Sequence, residues 1–401
     1  MKVTFIFAGS YPYGQIQPKR AHLLCKSLVE EDIEVLMIIT QPTERKDNVY
    51  NVIPQGSFEG VKYMYIGGST IRKESLIFRI FDTLYCRFIL FFSLLFNSFK
   101  SDFVIVLGAS FDFRILLPAL LKLTKSKSIL EINEYPLVNK RNNNRTKLLR
   151  GILFNLIFPL YDGFIPISTE LEKLISDYKS TRAKSIIIPI LGRTVERNKE
   201  QKKTRPIESF YIFHAGSLFE SKDGILGMIK AFGQAKDRIP YPVKLVLTGS
   251  INRSPHKNEI ENLITKYELV NDIIFTGFLS EDELDVYFTF ASLAIINKKL
   301  NLQNQYCFAS KLAEYMAYSI PVITTNVGDA SLYLKDNVDS YFIYEDSTDI
   351  LADKIVEFFN EINASRSQVA SNAKKTFETH FNYETHRKPL VRFLFSLKNQ
   401  T

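Results

Sequence analysis

The sequence predicts an α/β protein of two doubly wound, Rossmann-like domains, and three observations support this fold class. Short apolar runs typical of buried strands alternate along the chain with patterns typical of amphipathic helices. The alternation begins again after a polar, basic stretch at residues 192–206. A length of 401 residues is enough for two domains of ordinary size. Because strands that alternate with helices form parallel sheets covered on both faces, each half is expected to form one doubly wound domain.

The strands can be placed in order along the chain. Those predicted before the polar stretch are residues 3–8, 34–40, 61–66, 103–107, 128–133, 163–167 and 185–189. Those predicted after it are residues 210–214, 243–248, 273–276, 293–296, 321–325 and 340–344. Helices are predicted at residues 19–30 and, with one apolar side, at residues 381–397. Ligands of doubly wound domains bind beyond the carboxyl ends of the strands, so functional residues are expected in a cleft there.

Composition narrows the classes of function. The chain has 51 Lys and Arg against 43 Asp and Glu, a net charge of +8, which favours an acidic ligand or a membrane surface. It has no arginine-rich tail and no zinc-finger spacing, so nucleic acid is not the expected partner. Cys25, Cys86 and Cys307 are few, odd in number and far apart, which indicates a reducing cytoplasm. No signal peptide is expected, and no apolar run reaches the roughly 18 residues of a membrane span.

The most informative segment is FASKLAEYMAYSIPVITTN, residues 308–326. It predicts a helix with Ser310 as its N-cap, a stop at Pro321 and a buried strand after it. The start of a helix presents unpaired N–H groups to an anion, Lys311 adds a positive charge, and Glu314 adds an acceptor for sugar hydroxyls. This combination suits a nucleotide diphosphate. In the alternative interpretation, Ser310 only caps the helix and Glu314 only favours the helix dipole.

A second segment is FHAGSLFESKDG, residues 213–224, where a strand runs into a loop and then a helix. Gly216 would allow a ligand to approach the backbone closely, with Ser217 beside it. Lys222 follows at a distance that would let its ammonium meet a phosphate. The alternative is that Lys222 is an ordinary solvated lysine.

Two further loops follow predicted strands of the first half. In GSYPYGQIQPKR, residues 9–20, Gly14 lies in the loop and Arg20 near the start of the next helix. In LEINEYP, residues 130–136, Glu134 follows the end of a buried strand. Both loops are expected at the carboxyl ends of strands, where polar groups face a ligand. The alternatives are a plain turn around Gly14 and a loop-capping role for Glu134.

Together these segments resemble the donor-binding segments of the family 4 retaining glycosyltransferases, which have the GT-B fold. One branch of that family has roughly F-x-S-K-L-x-E-Y-M-A-x-G-x-P-V-I where this chain has residues 308–323. The resemblance implies two Rossmann-like domains facing a central cleft. It makes residues 1–191 the acceptor-side domain, 192–206 a linker and 207–375 the nucleotide-sugar donor domain. Residues 376–401 would form a helix that packs back on the N-terminal domain.

The resemblance also assigns roles to residues. Glu314 would bind the ribose, Lys222 the diphosphate, and Gly14 would approach the diphosphate from the other domain. Glu134, Arg20 and Lys222 are the predicted catalytic residues. The predicted nucleotide-sugar ligands are Gly14, Gly216, Ser217, Lys222, Gly277, Phe278, Ser310, Lys311, Leu312 and Glu314.

This chain departs from the family pattern at several positions. Ser217 stands where many relatives have arginine, and Lys311 is expected to substitute for the missing cation. Tyr306 stands in place of the first of two glutamates, and Ser319 in place of a glycine. The histidine that often follows the strand predicted at residues 128–133 is absent.

Two segments raise the question of a membrane. Residues 76–96 are rich in Phe and Leu, with Arg79, Asp82, Cys86 and Ser93 along one side. Residues 140–150 contain five basic residues and no acidic one, and the apolar run 151–160 follows. Basic and apolar residues together are the signature of an interfacial helix. The alternative is a core helix beside a solvated loop.

The residues and the resemblance together predict a cytoplasmic, metal-independent glycosyltransferase of the hexosyltransferase type, without a cofactor, and the resemblance alone implies that it is a retaining enzyme. It would transfer a sugar from a nucleotide-diphosphate donor to a hydroxyl of a glycan or lipid-linked acceptor, in surface polysaccharide synthesis, at an anionic membrane surface on the inner face of the cell membrane. Two alternatives stay open: a nucleotide-sugar epimerase of the GT-B fold, and a catalytically silent nucleotide-sugar binding protein.

Overall fold

The computed structural model describes residues 1–14, 16–47, 49–96, 98–107, 117–138, 143–195 and 203–399. The chain divides into two compact units. Unit 1 comprises Met1–Leu191 and Tyr383–Thr401, and unit 2 comprises Gly192–Asn382. The linker predicted at residues 192–206 falls at the start of unit 2, and its residues 196–202 lie outside the described part.

Within the described residues, unit 1 is built on one eight-stranded sheet. Its strands are β1 (Lys2–Phe7), β2 (Glu34–Ile39), β3 (Gln55–Phe58), β4 (Val61–Tyr65), β5 (Phe103–Leu107), β6 (Lys127–Ile132), β7 (Gly163–Pro166) and β8 (Lys184–Ser185). They lie in the order β3-β4-β2-β1-β5-β6-β7-β8. All neighbours are parallel except β3 and β4, which form an antiparallel pair. The central strands are buried on both faces, as their uninterrupted apolar sequences predict.

Among the described residues, the longer helices of unit 1 in chain order are α1 (Ile16–Val29), α2 (Leu76–Leu95), α3 (Asn144–Ile152) and α4 (Thr169–Tyr178), and residues 117–121 are also helical. The C-terminal helix Arg387–Lys398 also belongs to unit 1 and packs beside α1. Its Leu390 and Leu394 are fully buried in the core of this unit. Tyr383 and Arg387 fix the start of the segment by bonding Glu30 at the end of α1.

Unit 2 contains a six-stranded sheet, parallel throughout, in the order β11-β10-β9-β12-β13-β14. The strands are β9 (Phe210–His214), β10 (Val243–Thr248), β11 (Ile273–Gly277), β12 (Leu293–Ile296), β13 (Val322–Thr325) and β14 (Tyr341–Ile343). The helices are α5 (Glu220–Asp223), α6 (Ile225–Ala235), α7 (Lys257–Lys266), α8 (Glu281–Phe290), α9 (Leu302–Tyr306), α10 (Ser310–Ala317), α11 (Ala330–Tyr333), α12 (Thr348–Asn360) and α13 (Asn363–Thr376).

The predicted strands are confirmed except in one place. The strand predicted at residues 185–189 is shorter in the structure: regular pairing with β7 is limited to Lys184–Ser185, although the Ile186 and Ile188 N–H groups still donate to the Phe164 and Pro166 carbonyls of β7. The carbonyl groups of Ile188 and Pro189 instead accept hydrogen bonds from the Arg20 guanidinium. Strand β3 was not predicted, since its sequence QGSF is polar and lies at the edge of the sheet.

The two segments that raised the membrane question differ in burial. Four of the ten residues in the apolar run 151–160 are buried, namely Leu153, Phe154, Ile157 and Phe158, and Leu156 is its one exposed large apolar side chain, so the run itself offers little apolar surface for docking. By contrast, α2 exposes many of its apolar side chains, so its interpretation as a core helix is wrong. Residues 140–142 of the basic stretch lie outside the described part of the chain. In that part, no helix is both long and apolar enough to cross a membrane.

Candidate active site in unit 2

The carboxyl ends of the strands in unit 2 are tied together by hydrogen bonds. The Gly216 N–H donates to the Thr248 hydroxyl at 3.1 Å, and the Gly249 N–H donates to the Gly277 carbonyl at 2.7 Å. On the other side of β9, the Lys298 N–H donates to the Thr325 hydroxyl at 3.0 Å. The loops after β9 to β13 therefore share one edge of the sheet, which is where doubly wound domains bind ligands.

The loop after β9 requires a glycine at its tightest point. A Cβ on Gly216 would lie 2.4 Å from His214 Nε2, closer than real contacts allow. His214 is buried, its Nδ1 lies 3.2 Å from the Ile295 carbonyl oxygen, and its Nε2 has no hydrogen-bond partner among the described residues. The Ser217 N–H and hydroxyl both donate to the Asp223 carboxylate, which folds the loop back on itself.

Lys222 lies on α5 with its side chain exposed, and it forms no ion pair with any described residue. The position of α5 is set at Gly224, whose φ of +61° ends that helix and begins α6. A Cβ there would lie 2.1 Å from the Asn297 carbonyl oxygen, and the Asn297 amide donates to the Gly224 carbonyl at 2.9 Å. Lys222 is thus carried on a short helix that is fixed against the end of β12.

Helix α10 begins one residue earlier than its predicted N-cap implies. Ala309 is the N-cap, with φ −69° and ψ 98°, and Ser310 is the first helical residue. The prediction of Ser310 as the cap is therefore wrong, because a residue with helical backbone angles no longer directs its hydroxyl at the N–H groups of the first turn. No side chain caps this helix.

The core side of α10 anchors it to the loop after β9. Leu312, Tyr315 and Met316 are buried, and the Ala215 N–H donates to the Tyr315 hydroxyl oxygen at 2.8 Å. Burial raises the pKa of Tyr315 far above its ordinary value, so the hydroxyl remains neutral. Helix α10 is thereby tied to the residue that precedes Gly216.

Lys311 and Glu314 are brought together by the structure. The Lys311 Nζ lies 2.5 Å from Glu314 Oε2 in an ion pair, and both side chains are half-buried. The same ammonium lies 5.9 Å from the centroid of the Phe288 ring. The two predicted ligands therefore neutralise each other here, and a ligand would meet them as a pair.

Lys298 is a candidate that the sequence did not single out. It stands two residues after the end of β12, and its Nζ lies 3.2 Å from Asn304 Oδ1 and 3.9 Å from Cys307 Sγ. By contrast, the neighbouring Lys299 is engaged by Glu220 and Asp346. The sequence could have identified Lys298, because it follows the carboxyl end of a predicted strand, as the other candidate residues do.

Gly277 and Phe278 end β11 with an exposed aromatic ring. Gly277 has a φ of +71°, a region that favours glycine, and Phe278 is 60% exposed. The Arg253 guanidinium carbon lies 5.2 Å from the centroid of the Phe278 ring, a cation–π arrangement. An exposed ring with a cation beside it is a surface on which a nucleobase can stack.

The predicted residues of unit 1 lie at the carboxyl ends of its own sheet. Gly14 is exposed in the loop after β1, with φ +152°, and a Cβ there would lie 2.6 Å from Pro18 Cγ. Glu134 is half-buried two residues after β6. Arg20 is only 8% exposed, and its Nε lies 2.7 Å from Glu131 Oε1. These contacts fix α1 to β6, and the catalytic role of Arg20 stays a prediction.

Comparison with known proteins finds one family model that matches most of unit 2. Residues 195–376 match the family model of the glycosyl transferases group 1. No curated protein sequence matches the chain.

Solved structures resemble the chain over its whole length. A sucrose-phosphate synthase from Thermosynechococcus elongatus is 17% identical, with full coverage of both chains and a TM-score of 0.73. A glycosyltransferase from Rickettsia africae is 15% identical over 100% of this chain and 99% of its own, with a TM-score of 0.72. HepE from Anabaena, solved with UDP-glucose, is 13% identical over 99% of this chain and 100% of its own, with a TM-score of 0.68. These likenesses confirm the GT-B fold class.

Proposed function

With a glycosyl transferases group 1 domain at residues 195–376 and the GT-B fold throughout, the chain is a group 1 glycosyltransferase, and we propose that it is a retaining, metal-independent hexosyltransferase. Its donor would be a nucleotide-diphosphate sugar held by unit 2. Its acceptor would be a hydroxyl of a glycan or of a lipid-linked saccharide, bound by unit 1. The reaction suits surface polysaccharide synthesis on the cytoplasmic side of a membrane.

One observation carries this proposal: cationic groups and open helical N–H groups are gathered at one edge of the unit 2 sheet. Lys222 is exposed beside the glycine loop, α10 begins without a side-chain cap, and Lys298 follows β12. Departure of a nucleoside diphosphate leaves negative charge on its phosphate oxygens. Fixed cations and backbone N–H groups stabilise that charge in the transition state, and no divalent metal is required for the task.

The remaining parts of the donor have candidate partners at the same edge. Glu314 would accept hydrogen bonds from the two ribose hydroxyls, and Phe278 with Arg253 would stack on the base. HepE was solved with UDP-glucose, so uridine diphosphate is the first nucleotide to test on this chain. In unit 1, Glu134 and the loop around Gly14 are the candidate groups for the acceptor.

A thermal-shift screen of nucleoside diphosphates tests the proposal. A ligand present at a hundred times its dissociation constant stabilises the protein by about 2.7 kcal/mol. We expect one nucleoside diphosphate to raise the melting temperature, and its nucleotide sugar to be hydrolysed slowly when no acceptor is present. A silent binding protein would give the thermal shift without releasing sugar, and an epimerase would convert the donor sugar without an acceptor. Absence of any shift across the series contradicts the proposal.

Replacing Glu314 with glutamine is expected to weaken donor binding by roughly 1–2 kcal/mol, the difference between a charged and a neutral hydrogen-bond acceptor. The substitution also releases Lys311 from its ion pair, so affinity for the diphosphate alone does not isolate the ribose contact. A nucleotide without ribose hydroxyls does isolate it. Removing the ribose hydroxyls from the nucleotide should lower its affinity for the wild type more than its affinity for Glu314→Gln, as measured by titration calorimetry.

Glu259→Gln is the control for this cycle, since Glu259 lies in the first turn of α7, with its carboxylate 3.5 Å from His256, and is not one of the proposed ribose ligands. It should leave both affinities unchanged. If the losses from Glu314→Gln and from removal of the ribose hydroxyls simply add, Glu314 does not contact the ribose.

A further inference from the structure

Helix α2 turns its apolar side away from the protein. Only Cys86, Leu90 and Leu94 of its twenty residues are buried, whereas ten large apolar side chains are exposed. Those in α2 or directly after it that are more than 60% exposed are Leu76, Ile77, Phe78, Phe81, Phe88 and Phe96. At roughly 150–250 Å² of surface for an aromatic side chain, these six alone expose on the order of 600 Å². On a typical soluble monomer, the largest apolar patch has an area of about 300–600 Å², so this area lies at the top of that range.

The polar residues of α2 lie on the opposite side. Arg79, Asp82 and Arg87 are half-buried, on the side that also carries the buried Cys86. A helix on the surface of a soluble protein normally directs its charged side to water and its apolar side to the core. Helix α2 has the opposite orientation. Burial of such an exposed apolar side against an apolar partner would be favourable.

The charge of the chain is distributed unequally between the units. Unit 1 has 29 Lys and Arg against 18 Asp and Glu, a net charge of +11, whereas unit 2 has 22 against 25, a net charge of −3. Exposed basic residues flank α2 on both sides, Arg72 and Lys73 before it and Lys100 after it. Basic residues thus outnumber acidic ones beside the exposed apolar helix, where Glu74 is the exposed acidic residue next to its start.

Helix α3 adds basic residues on the same face of the sheet. Two crossover connections run in the same direction across the sheet: the one from β4 through α2 to β5, and the one from β6 through α3 to β7. Because such crossovers are right-handed, both helices lie on one face. There α3 exposes Arg145 and Lys147, with Leu148 beside them, and its sequence contains no acidic residue.

We propose that this face of unit 1 docks on an anionic lipid surface, with α2 lying in the plane of the interface and its apolar side inserted among the headgroups. An apolar side rich in Phe and Leu with basic residues around it is the composition of an interfacial helix. A second copy of the chain is the less favourable occupant, since a symmetric contact through α2 would bring two units of charge +11 together. Docking would hold unit 1 beside a lipid-linked acceptor, the acceptor class of the proposed function.

Vesicle flotation of the full chain tests this docking. The protein should float with vesicles of equal parts phosphatidylcholine and phosphatidylglycerol, and much less with phosphatidylcholine alone. The variant Phe78→Gln/Phe81→Gln/Phe88→Gln should lower the partition coefficient by about a hundredfold, because three inserted rings lose their apolar burial. The variant Arg145→Gln/Lys147→Gln should lower it by about tenfold or more, and salt should release the wild type.

The variant Val270→Gln/Leu332→Gln/Ile362→Gln is the matched control, since it removes three equally exposed apolar side chains from unit 2. It should float like the wild type. All variants should keep the nucleotide-induced thermal shift, so failure of docking is distinguishable from failure of the proposed function.

Three results would overturn the proposal. The first is a wild type that stays in the soluble fraction with both kinds of vesicle, and the second is equal binding to neutral and anionic vesicles. The third is a concentration-dependent dimer in lipid-free solution that the three Phe substitutions abolish, which would make α2 a contact between copies of this chain.

Discussion

Replacing Arg20 with methionine is expected to lower the free energy of unfolding of unit 1 by about 3–5 kcal/mol. The Arg20 Nε lies 2.7 Å from Glu131 Oε1, and the Glu131 side chain is only 2% exposed. Two further guanidinium nitrogens donate to the carbonyl oxygens of Ile188 and Pro189. Methionine fills the volume but leaves a buried carboxylate and two carbonyl groups without donors. Chemical denaturation followed by circular dichroism measures the loss.

Two companion variants locate the cause. Arg20→Met/Glu131→Leu should recover much of the stability, because removing both partners leaves no uncompensated charge. Lys173→Met removes the cation of a surface ion pair of 2.6 Å with Glu170, and it should change stability by less than about 1 kcal/mol. If Arg20→Met keeps full stability and loses turnover, the guanidinium acts in catalysis, as the sequence predicts.

The strands could be predicted because parallel strands between two layers of helices are apolar on both faces. The sequence FVIVL of Phe103–Leu107 is such a strand and is buried at every residue. Gln55–Phe58 could not be predicted in this way, because its sequence is polar and only its pairing with Val61–Tyr65 makes it a strand. A pattern in one segment carries no information about a partner that lies elsewhere.

The candidate site could be predicted down to its loops, but not to the contacts of its side chains. The rule that ligands bind beyond the carboxyl ends of parallel strands selected Gly216, Lys222 and Gly277, which the structure places along one edge. The same rule selected Arg20, whose partner Glu131 lies 111 residues further along the chain. Which of several polar groups meets a ligand and which meets a buried partner is decided by tertiary packing.

The orientation of α2 shows a similar limit. Helical periodicity correctly separates Arg79 and Asp82 from the apolar residues of this helix. Periodicity does not say which side faces the sheet, since the same pattern fits a core helix and a helix at a lipid surface. Only the burial of Cys86, Leu90 and Leu94 against the exposure of the Phe-rich side decides between them.

Replacing Lys222 with alanine is expected to weaken the binding of a nucleoside diphosphate by about ten- to a hundredfold. A charge-assisted hydrogen bond to a phosphate contributes roughly 1.5–3 kcal/mol. Lys222 is exposed on a four-residue helix and makes no ion pair with a described residue, so its loss should leave the fold intact. Titration calorimetry with the diphosphate and with the parent nucleoside locates the contact, because only the diphosphate should bind more weakly.

Lys375→Ala, which removes an exposed lysine from α13 of the same unit, should change neither affinity. Equal affinities for the diphosphate in the wild type and in Lys222→Ala would remove this lysine from the site, and Lys298 would then be the cation to test at the same phosphates.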